Sequence, residues 1–175
     1  LKLKNRVVMA PLTRSRATTD RVPTPMMAEY YAQRASAGLI ISEAIVISEA
    51  ANGYEKTPGL FSDAQVEGWK VVTDAVHAKD GLIVAQLWHV GRVSHPDLLK
   101  GETPVSASNV QQKGQVSLLR PKRYYVVPRP LEVAEIKTET PDFSPKLHIA
   151  IAPTKNSDRI EFFVEKAVEM GISEI

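Results

Sequence analysis

The sequence predicts an α/β fold in which parallel strands alternate with helices. Two observations predict it. Apolar runs typical of buried strands alternate with segments in which apolar residues recur at helical spacing. The connections between these segments are short, and the order β-α-β-α-β then requires parallel strands joined by right-handed crossovers. With 175 residues, the chain is long enough for one domain with a sizeable buried core.

Three apolar runs predict the strands. Residues 6–12 are rich in β-branched side chains, and Pro11 limits the run. Residues 39–47 are apolar nearly throughout, as is typical of a parallel strand covered on both faces. Residues 82–88 predict the third strand.

Two helices are predicted between these strands. Thr24 and Pro25 supply an N-cap and a proline at the first helical position, and Gly38 is expected to stop the first helix. A capping box at residues 62–65 begins the second helix, which is expected to end near residues 80–81. The apolar positions predicted for the first helix are Met26, Tyr30, Tyr31 and Ala35. The buried stripe predicted for the second helix is Val66, Trp69, Val72 and Val76.

The regular alternation is interrupted after the third strand. Residues 91–130 are polar, rich in proline and too long for an ordinary βα loop. In a (β/α)₈ barrel, insertions of this length lie over the carboxyl ends of the strands, where ligands bind. Residues 131–136 then predict the start of a helix, and residues 137–146 a linker. A strand at 147–151 and a helix at about 156–171 are predicted beyond it.

The composition excludes several function classes. Lys and Arg number 22 against 20 Asp and Glu, with both signs interspersed, so no nucleic-acid partner is expected for the main body. The absence of cysteine excludes disulfides and thiolate chemistry and favours a cytoplasmic location. No apolar run approaches the roughly 18 residues of a membrane span, and residues 1–6 are too polar for a signal peptide.

Polar and small residues at the carboxyl ends of the three strands are candidates for a ligand site. The hydroxyl of Thr13 can donate to a carbonyl oxygen of a flat heterocycle, while Pro11 and Leu12 present backbone groups to it. The small side chain of Ala44 lets a ring approach the backbone. The amide of Gln86 offers a donor and an acceptor, which suits the N3–H and C2=O edge of an isoalloxazine.

Each of these residues, taken alone, has a purely structural explanation. Thr13 is in a typical turn position, a glutamine in a strand is usually a satisfied polar residue, and Trp88 is more often core than site. The histidines lack the spacing of metal ligands, so no metal site is predicted. The acidic residues nearest these segments are too scattered for a catalytic pair, namely Glu43, Glu49 and Glu55.

Together, the segments resemble one family, the NADH:flavin oxidoreductases of the Old Yellow Enzyme type. The resemblance rests on long stretches that occur in the family's order, and it runs from residue 1 to about Ile136. The stretches that carry it are residues 5–14, 30–35, 38–44, 53–54, 57–59 and 86–92.

The resemblance implies the N-terminal half of an FMN-binding (β/α)₈ TIM barrel over residues 1–136. It also implies transfer of a hydride from NAD(P)H via FMN to an activated alkene, such as an enone, as the small-molecule substrate. The cofactor-binding residues it implies are Pro11, Leu12, Thr13, Ala44 and Gln86. The substrate-binding residues it implies are Tyr54 and Trp88.

Some of the family's motifs do not occur in these 175 residues. They are a His-Gly-x-His/Asn-Gly-Tyr segment that binds substrate and supplies a proton donor, an Arg-Thr-Asp-x-Tyr-Gly-Gly segment, and the Gly-rich loops that hold the FMN phosphate. No catalytic residue is therefore assigned, and we expect weak FMN retention and little or no activity from this truncated chain alone. An open half-barrel edge also predicts self-association.

The C-terminal segment has a second, shorter resemblance. Residues 147–175 are similar to the start of the catalytic domain of trefoil-knot methyltransferases that act on ribosomal RNA uridine. Three explanations of this segment are open: a fusion of two gene fragments, a chimera in which the βα unit substitutes for a barrel unit, or a divergent barrel segment. The alternative functions are a non-catalytic fusion or chimeric fragment, or part of an S-adenosylmethionine-dependent ribosomal RNA methyltransferase.

Overall fold

The computed structural model describes residues 2–133 and 135. Leu1–Pro130 forms one compact unit, and its centre is a parallel sheet in the order β1-β2-β3. The strands are β1 (Val8–Met9), β2 (Leu39–Val46) and β3 (Ile83–Trp88). Helix α1 (Pro25–Ala32) connects β1 to β2, and α2 (Asp63–His77) connects β2 to β3. The predicted α/β architecture with parallel strands is confirmed.

The core lies between the two helices and the sheet. Tyr31, Val72, Val76 and Ile40 are fully buried in it. The indole of Trp69 is also buried and donates from Nε1 to the Gly59 carbonyl oxygen at 3.0 Å. The cluster consists of Ala17, Met27, Ala28, Tyr31, Ala35, Ile40, Ile45, Trp69, Val72 and Val76.

Two residues predicted for the buried stripes are exposed instead. Met26 is 62% exposed, and its neighbour Met27 occupies the core at 2%, whereas the predicted positions Tyr31 and Ala35 are buried. Val66 is 38% exposed, and Gln65 takes the inward position at 2%. A polar side chain is tolerated there because its amide oxygen accepts from Phe61 N and its amide nitrogen donates to the Asp20 carbonyl oxygen.

The helix ends differ in detail from the predictions. Helix α1 ends at Ala32 rather than reaching Gly38, and turns fill the interval. At α2, Ser62 Oγ accepts from Gln65 N at 3.4 Å, as a capping box requires. The reciprocal bond goes to the wrong residue for a capping box, since Gln65 Oε1 accepts from Phe61 N at 2.8 Å rather than from the N-cap nitrogen.

Strand β1 is shorter than predicted. Only Val8–Met9 pairs with β2, and the predicted strand over residues 6–12 is too long at both ends. Residues 10–14 lie outside the sheet, and Arg14 N donates to the buried carboxylate of Glu43 at 3.0 Å.

The long insertion after β3 is confirmed as a departure from the βαβ pattern, and it has its own small strands. Strand β4 (Val105–Ser106) pairs in parallel with β7 (Arg129–Pro130), and β5 (Gln115–Val116) pairs antiparallel with β6 (Arg123–Tyr124). These short pairs were not predicted from the sequence, since two-residue strands carry no periodicity.

The C-terminal segments fall largely outside the described part of the chain. In the predicted helix at 131–136, Val133 and Glu135 are helical. The predicted linker at 137–146, the strand at 147–151, the last helix and the methyltransferase-like stretch lie outside the described residues. No helix within the described residues is long and apolar enough to span a bilayer.

Candidate functional site

A β-bulge in β2 shapes the carboxyl end of the sheet. Ile41 pairs with Val84 and Ala44 with Gln86, so two residues of β2 lie opposite one residue of β3. The two residues are Ser42 and Glu43, whose exposures are 1% and 0%. Bulges are uncommon in parallel pairs, and they often lie beside functional sites, where they redirect side chains.

The hydroxyl of Ser42 completes the hydrogen bonding of the bulge. It accepts from Gln86 N at 3.0 Å and donates to the Glu43 carbonyl oxygen at 2.8 Å. A side chain thereby replaces a backbone group in the ladder between β2 and β3. The backbone of Gln86 is consequently held by Ser42.

The carboxylate of Glu43 joins three parts of the chain. Its Oε2 accepts from the backbone nitrogens of Arg14 at 3.0 Å and Ser15 at 3.3 Å. The Tyr31 hydroxyl accepts from Glu43 N at 2.8 Å and donates to Oε1 at 3.4 Å. Burial raises the pKa of the Glu43 carboxyl, and the two backbone N–H groups oppose that rise. Burial likewise raises the pKa of Tyr31.

These bonds gather the predicted flavin-binding residues at one end of the sheet. Thr13 directly precedes the tethered Arg14, and Ala44 lies opposite Gln86 across the ladder. Pro11, Leu12 and Thr13 are exposed, Ala44 is 6% exposed and Gln86 is half-buried. Within the described part of the chain, neither the Thr13 hydroxyl nor the Gln86 side-chain amide has a hydrogen-bond partner. Both groups are therefore available to a ligand.

The two predicted substrate-side residues contact each other. The rings of Tyr54 and Trp88 have centroids 5.2 Å apart and are tilted by 46°. Arg21 holds this loop by donating from Nη1 to the Tyr54 carbonyl oxygen at 3.3 Å and to Thr57 Oγ1 at 2.9 Å. Burial lowers the pKa of Arg21, and the charge of Glu49 opposes that shift.

The histidines of this region have structural contacts. His89 Nδ1 accepts from Gly91 N at 2.9 Å, and His95 Nδ1 accepts from Asp97 N at 3.1 Å. In the residues that the structure covers, no three His, Asp or Glu side chains are grouped as a metal site would require.

Sequence reasoning missed the residues that support the site. The sequence makes residues 42–44 one of the three candidate segments, with Ala44 as its ligand-binding residue, but it does not predict the supporting roles of Ser42, Glu43 and Tyr31. One signal was present, since a serine and a glutamate side by side in an otherwise apolar strand need buried partners.

Comparison with known proteins identifies the family. The family model described as the NADH:flavin oxidoreductase / NADH oxidase family matches residues 1–150. The chain belongs to this family. Its resemblance to Old Yellow Enzyme proteins, predicted from the motifs around Thr13 and Gln86, is thereby confirmed.

Similar members of the NADH:flavin oxidoreductase family agree with this assignment. Flavin oxidoreductase hxnT of Emericella nidulans is 49% identical over 141 residues, which are 77% of this chain and 36% of that protein. Putative 12-oxophytodienoate reductase 2 of Oryza sativa subsp. japonica is 46% identical over 145 residues, 82% of this chain and 37% of that protein.

A solved structure extends the agreement to the fold. The Old Yellow Enzyme homologue from Zymomonas mobilis is 45% identical with a TM-score of 0.72, covering 97% of this chain and 43% of that chain. The predicted fold class, part of a (β/α)₈ barrel, is confirmed. The chain spans a little over a third of the length of the curated relatives it matches.

Proposed function

We propose that this chain provides the flavin-ring edge of an FMN-dependent ene-reductase of the Old Yellow Enzyme type. One observation carries the proposal. The Thr13 hydroxyl and the Gln86 amide, each without a hydrogen-bond partner among the described residues, belong to segments gathered at the carboxyl end of one parallel sheet. That end of the sheet is where (β/α)₈ enzymes bind their ligands.

The chemistry of these groups fits an isoalloxazine edge. Thr13 can donate to the O4 region, and Gln86 offers a donor and an acceptor to the pyrimidine edge. Ala44 carries no side-chain atoms beyond Cβ, so its side chain would not keep a ring from approaching the strand. Pro11 and Leu12 supply exposed backbone and apolar contact. When bound, FMN would supply hydride transfer from NAD(P)H to the β-carbon of an activated alkene.

The aromatic pair of Tyr54 and Trp88 suits the substrate side of such a site. Trp88 ends β3 two residues after Gln86, and its ring contacts Tyr54. Two tilted rings form an apolar wall that would favour a flat conjugated molecule and would exclude water from it. We accordingly propose a small electrophilic alkene, such as an enone, as the substrate.

A comparison of two flavins tests the proposal. Because the proposed contacts all go to the ring, riboflavin and FMN should bind the purified chain with similar affinities. The measurement is the quenching of flavin fluorescence during titration with protein, together with the visible absorption spectrum of the complex. Gln86→Ala should weaken both flavins equally, whereas Gln112→Ala, an exposed glutamine in the long insertion, should weaken neither. Flavin fluorescence that stays unchanged up to the highest concentration of wild-type protein would refute the proposal.

We further propose a cytoplasmic location and pairing between copies of the chain. The lack of cysteine supports the first. Exposed apolar side chains at both outer strands support the second. Val8 in β1 and the preceding Val7 are 46% and 64% exposed. Val84 and Leu87 in β3 are 42% and 37% exposed. Neither β1 nor β3 has a second neighbour in the sheet among the described residues.

A further inference from the structure

We propose that Ser42 and Glu43 form a positioning pair that fixes Gln86 and the Thr13 loop in register with each other, so that both address one flavin ring. The proposal rests on the proposed function. Neither residue is placed in contact with the ligand. Each acts through a hydrogen bond to the backbone of the segment that carries a ligand-binding side chain.

Ser42 fixes the Gln86 side of the site. Because the bulge removes a regular ladder partner, Gln86 N would have no acceptor in β2 without the Ser42 hydroxyl at 3.0 Å. The same hydroxyl donates to the Glu43 carbonyl oxygen, so its orientation is set at both ends. Since Ser42 is 1% exposed, water cannot easily replace it.

Glu43 fixes the Thr13 side of the site. Two successive backbone N–H groups, from Arg14 and Ser15, converge on its Oε2. Convergence of consecutive amides on one oxygen is the geometry of an anion-binding nest. Ser15 has φ of 51°, a left-handed conformation that is unfavourable for serine. The carboxylate stabilises this conformation, and the chain direction at Thr13 depends on it.

Tyr31 keeps the Glu43 carboxylate in place. Its hydroxyl is bonded to both the backbone nitrogen and Oε1 of Glu43, and its ring is fully buried in the core. The charged and titratable groups around the carboxylate in the described residues are Tyr31 and Arg14. The pair is thus anchored to the helix layer, and the two ligand-facing segments are anchored to the pair.

A coupling measurement with FMN separates positioning from a general loss of structure. Glu43→Gln should weaken FMN binding by about fivefold, roughly the worth of one net hydrogen bond, in the wild-type background. It should have little further effect in a Thr13→Ala background, because its influence passes through Thr13.

Ser42→Ala should likewise weaken FMN binding in the wild-type background and have little further effect in a Gln86→Ala background. Ser42→Thr, which keeps the hydroxyl, should restore the affinity. Thr19→Ala, in the same loop and exposed, is the matched control. Fully additive effects in both backgrounds would overturn the inference.

Amide hydrogen exchange tests the same pair without flavin. Glu43→Gln should lower protection at Arg14 and Ser15, and Ser42→Ala should lower it at Gln86, with the α2 amides unchanged. If wild-type protein binds no FMN, the proposed function fails and exchange alone decides the positioning. Lost protection at these amides then supports it, and unchanged protection overturns it.

Discussion

Burial opposes the ionisation of the Glu43 carboxyl, so the free energy of unfolding should depend on pH. Its folded-state pKa is raised above the ordinary value of 4.5, so in the interval above 4.5 the folded chain binds more protons than the unfolded chain. The stability that Glu43 contributes is then fully present below 4.5 and is lost as pH rises through the folded pKa. We expect the unfolding free energy of wild type, relative to Glu43→Gln, to fall as pH rises through that interval.

Urea unfolding of both proteins at a series of pH values measures this difference. The glutamine variant is the appropriate reference because it has nearly the same shape and does not titrate. A difference that stays constant across the series would show that Glu43 ionises as freely in the folded chain as in the unfolded one.

Thr13 should matter for ligand binding but not for folding. Its side chain is exposed and has no hydrogen-bond partner among the described residues, so Thr13→Ala should leave the urea midpoint unchanged. Loss of one hydrogen bond to the flavin should weaken FMN binding by about fivefold. Fluorescence titration measures the affinity, and unfolding in the absence of flavin measures stability. Equal affinity for wild type and variant would remove Thr13 from the site.

The sequence singles out Thr13 and Gln86 as candidates because they lie within long family motifs. The adjacent Ser42 and Glu43 indicate that buried partners exist, but which segments supply those partners could not be predicted, because a hydrogen bond between distant segments carries no local pattern. Arg14 and Glu43 are 29 residues apart, and Ser42 and Gln86 are 44 apart. Only the folded arrangement of β2 against its neighbours brings these atoms within reach.

At the scale of elements, Gly38 joins α1 to β2 at a point that has no space for a side chain. A Cβ there would lie 2.1 Å from the carbonyl oxygen of Asn5, a backbone atom that cannot move independently. Gly38→Ala should therefore lower the unfolding free energy by about 1–3 kcal/mol, the usual cost of overpacking. Chemical denaturation measures the effect, with the exposed Ser36→Ala as control. An unchanged midpoint would mean that the Asn5 segment shifts without cost.

The apolar periodicity predicted the positions of the helices and strands well, but it predicted less well which of their side chains face the core. The long strand β2 and the helix α2 were predicted within a few residues because their apolar runs are long. The bulge at Ser42 and Glu43 inserts an extra residue, which a strict alternation cannot represent. Met26 and Met27 are equally apolar, so only the packing of α1 on the sheet decides which one is buried.

At the scale of the whole molecule, the apolar flanks of β1 and β3 should drive association. Val84→Lys places a charge on the exposed flank of β3 and should shift the chain toward the monomer, because a charged edge strand resists pairing. Light scattering across a concentration series measures the mass. Val71→Lys, on the exposed face of α2, carries the same charge change away from the sheet edge and should leave the mass unchanged. A wild-type chain that stays monomeric at high concentration would refute the association.

The placement of the two tryptophans gives the molecule two separate optical reporters. Trp69 lies in the helix layer with its indole bonded to Gly59, while Trp88 lies at the carboxyl end of the sheet beside Tyr54. A flavin bound at that end would quench the fluorescence of Trp88 more strongly than that of Trp69. Unfolding would change the fluorescence of Trp69. In a Trp69→Phe protein, the remaining Trp88 would therefore report on occupancy, and in a Trp88→Phe protein the remaining Trp69 would report on unfolding, so that the two single-tryptophan proteins together could distinguish an empty folded chain from an unfolded one.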